Sequence, residues 1–100
     1  MLIIAGSFRI DPTTRAAALA AAKDMMAETL REKGCHDYCF SADLSDPGVM
    51  HLFERWESED DLRAHFATPH MATFQAAIGK LSTQVIEIQK YAISSVGPVR

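Results

Sequence analysis

FERWESEDDLRAHFATPH, Phe53 to His70, is the stretch on which the fold turns. Its first four residues close an apolar run that reads as a strand ending at Trp56. Ser58 then offers a side-chain acceptor to a helix N-terminus, and Glu59, Asp60 and Asp61 fill a first turn that favours negative charge. Thr68-Pro69 repeats a cap-then-proline signal, so the helix breaks there and restarts. The segment also carries the lone tryptophan and two histidines, His65 and His70, five residues apart. These three either line a pocket or serve only in packing and capping.

Working outward, residues 2–10 form an apolar run expected to be a buried strand. Asp11-Pro12 supplies an N-cap acceptor before a proline, opening a helix over TTRAAALAAAKDMMAETLREK. Its stripe is Leu19, Ala22, Met26 and Leu30, with Arg31 and Lys33 suiting the negative dipole end and Gly34 a left-handed cap. From His36 to Leu44 the pattern alternates: Tyr38, Phe40, Ala42 and Leu44 on one side, Asp37, Cys39, Ser41 and Asp43 on the other. Ser45-Asp46-Pro47-Gly48 is a turn in which Gly48 is free to take positive φ, and Val49 to Trp56 is the return strand. Downstream, Met71, Phe74, Ile78 and Leu81 make a second helical stripe that Gly79 weakens at its end. Gln84 to Ile93 reads as a last strand and 94–100 as a loose or partner-bound tail.

The order β-α-β-β-α-β predicts an α+β, ferredoxin-like single domain over residues 1–100: a four-stranded antiparallel sheet with helices on one face. The third and fourth strands carry apolar residues on both faces. Met50, Leu52 and Trp56 oppose Val49 and Phe53; Val85, Tyr91 and Ile93 oppose Ile86, Ile88 and Ala92. Helices cover one face only, so a homodimer packed across the other face is expected.

Lys and Arg number 10 against 13 Asp and Glu, a formal charge of −3, which argues against a phosphate-backbone binder. The K/R-G-F/Y-G/A-F run of an RRM-like domain is also missing, so no nucleic-acid partner is expected. The start, MLIIAGSFRI, lacks a basic n-region and reads as a strand rather than a signal peptide. No apolar run approaches the ~20 residues of a membrane helix. A soluble cytoplasmic protein without membrane partners is the expectation. Cys35 and Cys39 would lie roughly 13 Å apart along a strand at ~3.3 Å per residue, too far for a disulfide, so both are expected as buried free thiols.

On the residues Glu54, Trp56, Ser58, Glu59, Leu62, His65, Phe66, Thr68, Pro69 and His70, E-x-W-x-S-E-x-x-L-x-x-H-F-x-T-P-H, the chain resembles the antibiotic biosynthesis monooxygenase domain family of dimeric α+β barrels. The element order extends the likeness over nearly all of the chain. The resemblance implies oxygenation of a quinol-like or phenolic aromatic molecule by O2, with neither metal nor flavin. The same family includes haem-degrading enzymes. That branch places Asn on the first strand, a second Trp on the second helical region and an iron-ligating His ten residues later. Here His65 and Gln75 hold the latter two positions and the chain contains no Asn, so haem degradation by that route is not expected. A non-catalytic binding module of the same fold is the alternative.

A phenol reacts with O2 faster as its anion, so the group such an enzyme must supply is a base titrating near neutrality, for which His is suited. His65, beside Leu62 and Phe66, is the first candidate, or else a packed histidine satisfied by one hydrogen bond. His70, at the second helical position after Thr68-Pro69, is the other; the dipole there favours a neutral ring. Trp56, Phe66, Met71 and Phe74 would wall an aromatic substrate or simply fill the core, and Tyr38 could donate a hydrogen bond to a quinol oxygen. Tyr91 is a further candidate donor. Glu54 is expected to pair with Arg55 or Arg9. His36 and His51 show no ligand spacing, so no metal centre is expected.

Overall fold

The computed structural model describes residues 1–100. Strand β1 (Leu2–Arg9) leads through a 3-10 turn (Pro12–Thr14) into helix α1 (Arg15–Thr29); β2 (Cys35–Ala42) and β3 (Val49–Trp56) form a hairpin. Helices α2 (Glu59–Phe66) and α3 (Pro69–Gly79) follow, and β4 (Gln84–Ala92) closes the order. The sheet is antiparallel throughout, in the order β2-β3-β1-β4, as the ferredoxin-like reading expects. No helix is long and apolar enough to cross a membrane.

Capping residues set the helix starts. Asp11 accepts from the Thr13 backbone N–H, Ser58 from that of Asp61 and Thr68 from that of Met71. Side chains of Leu2, Ile4, Tyr38, Leu52 and Trp56 meet Met25 of α1 and Leu62 of α2 to form the main core; Ile10, Ala18 and Met50 form a second cluster. The extents, 41 × 34 × 19 Å, are those of one sheet under one helical layer. Its far face, which includes Ile3, Ala5, Phe53 and Tyr91, has no cover, and every residue of β4 is exposed.

Several local expectations shift. The buried stripe of α1 is Ala18, Ala22, Met25 and Thr29, one position from the predicted one, and Leu30 is exposed in the turn after the helix. An alanine-rich helix gives weak side-chain contrast, so its facing is poorly marked. Gly34 is left-handed, with φ of 80°, but four residues beyond the C-cap Leu30. A Cβ there would also strike the Asp61 carboxylate. The only positive-φ glycine is Gly34, so Gly48 does not use that freedom; its N–H instead donates to Asp46 Oδ1. Leu44 falls past β2 and is fully exposed. Cys39 is exposed rather than buried, whereas Cys35 is half-buried; both thiols are free.

The largest departure is in β4. Glu87 pairs with Ser7 but Val85 with Phe8, leaving Ile86 as an extra residue in a β-bulge. The bulge breaks the period-two alternation. Val85 shares the helix side with Phe8, Ile88 with Gly6 and Lys90 with Ile4, while Tyr91 joins Ile3 on the open face. Tyr91 and Val85 therefore lie on opposite faces. Gly6 is required beside this bulge, because a Cβ there would overlap the Glu87 carbonyl and the Ile88 backbone.

Candidate functional site

Three segments meet at one carboxylate. Glu32 lies in the turn after α1, His65 in the last turn of α2 and His70 in the first turn of α3. Thr68 holds the corner between the two helices: its hydroxyl donates to the His65 carbonyl at 2.8 Å and accepts from the Met71 N–H. That brings the imidazole centroids to 6.1 Å. Both rings then reach the same oxygen, His65 Nδ1 and His70 Nε2 each lying 2.7 Å from Glu32 Oε2. An ionised carboxylate only accepts, so both contacted nitrogens carry hydrogen and donate. The basic lone pair is then left on Nε2 of His65 and on Nδ1 of His70.

Accessibility separates the two histidines. The His65 side chain is 1% exposed and that of His70 21%. His65 is enclosed by Trp56, Tyr38 and Phe66, with ring centroids at 4.8, 5.6 and 5.7 Å. His70 opens on a cleft of about 400 Å³ between α1 and α3, lined also by Asp24, Met25, Glu28 and Phe74.

Trp56, whose ring packs on His65, is bonded in turn to a second carboxylate. Glu54 is 5% exposed and accepts the Trp56 indole N–H at 2.8 Å; it pairs with neither Arg55 nor Arg9, which bond to Asp37 and Asp46. The correction follows from strand parity, since positions 54 and 56 share the helix side and 55 points away. Burial pushes the Glu54 carboxyl up to about 7; the indole bond pulls the other way, and the charge of Glu32 adds to the rise. Directly across the hairpin is Tyr38, whose phenol is held above its usual range, first by burial and then by Glu54, Cys35 and Glu32. It stays a neutral hydrogen-bond donor. Burial, then Glu32, Glu54 and Asp37, pushes the Cys35 thiol up to about 11, which leaves it a poor nucleophile.

The structure thus groups His65, His70, Trp56 and Tyr38. Phe74 lines both the cleft and a small apolar chamber of about 30 Å³, and its ring lies tilted against Phe40 with centroids 5.5 Å apart. Met71 is half-buried against the main core. Phe66 is 57% exposed and faces a different groove, between α2 and β4. Glu32 had no part in the sequence reading. Its signal was an acid just past a helix C-terminus, where the dipole disfavours negative charge unless it is paired; flanking Arg31 and Lys33 concealed it.

Glu32, His65 and His70 also form a donor set suited to a zinc or iron(II) ion, with ligand atoms all within 4.8 Å of one another. Both nitrogens, however, converge on one oxygen at hydrogen-bond distance rather than on a shared centre. An ion would have to displace both ring protons and spread the rings. His36 and His51 pair separately with Glu57 and Asp43 at the surface.

A sequence profile of the family described as antibiotic biosynthesis monooxygenase matches residues 1–77. Among curated relatives, the Escherichia coli protein named "Probable quinol monooxygenase YgiN" is 31% identical over 78% of this chain and 85% of its own. Rv0793 of Mycobacterium tuberculosis is 32% identical over 77% of this chain and 75% of its own. The Synechocystis protein sll1783 is 26% identical over 93% of this chain, which spans 63% of that relative's length. A solved structure from Deinococcus radiodurans superposes with a TM-score of 0.92, covering 100% of this chain and 99% of its own at 24% identity, a likeness of fold.

Proposed function

Starting from the premise that the chain belongs to the antibiotic biosynthesis monooxygenase family, we propose that it oxygenates a quinol-like or phenolic aromatic molecule with O2, using histidine as the base. The observation that carries this reading is the pair of imidazoles on one Glu32 oxygen, one of them lining a cleft of small-molecule size. Its position on the cleft supports His70 as the group that takes the phenolic proton, with buried His65 holding Glu32 in place from behind. Nδ1 of His70 receives the proton, and the Glu32 carboxylate stabilises the imidazolium. The phenolate passes an electron to O2. The resulting radical and superoxide combine at a ring carbon to form a C–O bond. Loss of water from that peroxide breaks the O–O bond, and the ring C–H hydrogen leaves as a proton. The balance is phenol plus O2 to quinone plus water, so the substrate supplies all the electrons.

A homodimer belongs to the same proposal. The open face presents Phe53 and Tyr91, 41% and 48% exposed, beside Ile3 and Ala5. A contiguous apolar patch of that kind favours a second copy over water. A cytoplasmic location completes the reading.

The deciding experiment is oxygen uptake with a panel of hydroquinones, in chelated, flavin-free buffer, against uncatalysed autoxidation. His70→Ala should lower turnover by roughly 10²–10⁴-fold. Uptake equal to the background, or a folded His70→Ala and His65→Ala pair that both keep full rate, would sink the proposal.

A further inference from the structure

The lining of the apolar chamber beside the cleft includes one residue that is not hydrophobic. Phe8, Phe40, Met50, Phe74 and Ile78 wall it together with Thr83, whose Oγ1 is buried and hydrogen-bonds to no group of the chain. Leaving a buried hydroxyl without a partner is costly, because its bond to water has been lost and not replaced. Water is a poor remedy: a buried water needs two to four polar partners, and this lining offers one. The backbone holds Thr83 there at some cost as well. Ser82, immediately before it, sits at φ of 56°, a left-handed conformation rarely taken by residues other than glycine.

The chamber, at about 30 Å³, is too small for an aromatic ring, but its outer wall is lightly held. Helix α3 has no fully buried residue, and Phe74 is the one residue common to the linings of the chamber and of the cleft on which His70 opens. From His70 to Ile78 the helix rises about 12 Å. A ligand lying along α3, with one end at His70, would displace Phe74 and bring its other end to Thr83.

We propose that Thr83 is a specificity-determining residue: its hydroxyl recognises a polar atom at the end of an elongated aromatic ligand remote from His70, in a chamber that opens when Phe74 moves aside. This rests on the cleft being the substrate site. The ligand class is a rigid aromatic about 10 Å long with oxygen at both ends.

The test compares 4-phenylphenol with 4,4′-biphenol by calorimetric titration, without reference to turnover. The wild type should bind the biphenol about 3–10-fold tighter, beyond the twofold statistical advantage of its two equivalent ends. In Thr83→Val, which keeps shape and removes the hydroxyl, that preference should shrink to about twofold. Thr83→Ser should retain it. Without ligand, Thr83→Val should melt at the same temperature as wild type or higher, because an unsatisfied group has gone. Equal affinities in the wild type, a preference that survives Thr83→Val, a lower melting temperature for that variant, or no saturable binding of either compound would each overturn the proposal. Discriminating binding without oxygen uptake would refute the oxygenase reading alone; uptake without discrimination would refute the role of Thr83 alone.

Discussion

Replacing Glu54 by Gln should stabilise the protein above neutral pH and change little in acid. An ordinary glutamate titrates at 4.5, whereas burial pushes Glu54 up to about 7, against the opposing indole bond and with the Glu32 charge adding to the rise. Between those values the folded protein holds a proton that the unfolded chain has released. Stability from this group is therefore complete below pH 4.5 and is lost as the pH rises through about 7. A gap of about 2.5 pH units at ~1.4 kcal/mol each gives a span of about 3 kcal/mol. Gln mimics the neutral acid and can still accept the Trp56 N–H through its carbonyl, so the variant escapes the loss. The assay is urea unfolding of both proteins from pH 4 to pH 9, at one protomer concentration so that any assembly contributes equally. Asp11, Asp43 and Glu57 are held below their ordinary range by hydrogen bonds and act with the opposite sign, but they cancel in the difference. The stability of the variant minus that of wild type should climb by about 3 kcal/mol between pH 4.5 and pH 8. A flat difference, or one that grows toward acid, would refute burial as the dominant influence on Glu54.

Glu32→Gln should slow turnover of an accepted hydroquinone by one to three orders of magnitude, about 1.4 kcal/mol per tenfold, because the amide cannot stabilise an imidazolium by charge; a rate within twofold of wild type would count against the shared carboxylate. Light scattering at micromolar concentration should give a mass near twice the 11.0 kDa chain, and Phe53→Lys with Tyr91→Lys should halve it; an unaltered mass would move the interface elsewhere. Thr68→Ala removes both a helix cap and the bond to the His65 carbonyl, so about 1–2 kcal/mol of stability should be lost on chemical unfolding. Trp56→Ala should cost about 3–5 kcal/mol by the same measurement, as expected for a fully buried indole.

What the sequence made legible was local. Ser58 and Thr68 name their helices because a cap is a contact between residues two or three apart, and the period-two face of Tyr38 and Phe40 follows from strand geometry alone. Glu54 and Trp56 share a strand face for the same reason, although the intervening Arg55 drew attention as a partner. The meeting of Glu32 with His65 and His70 spans more than thirty residues and depends on how far the turn after α1 carries the chain. No spacing encodes that. Thr83 was equally silent, since a threonine at a strand entrance is ordinary until the cavity around it is known. The β4 faces depart from simple alternation because one unpaired residue, Ile86, is invisible to a period count.

That unpaired residue also makes the last strand sensitive to its reading frame. With the bulge in place Lys90 faces the helices and pairs with Glu59 at 2.7 Å, while Tyr91 faces outward. Deleting Ile86 would remove the bulge and restore strict alternation, leaving Val85 opposite Phe8 and Glu87 opposite Ser7 with both ends of the strand in their present register. A residue inserted between Val85 and Lys90 would instead turn over one end, and either the ion pair to α2 or the alignment of Val85 with Phe8 would be lost. The strand can therefore lose one residue by giving up its bulge, whereas a residue gained here would need a compensating deletion on the same strand.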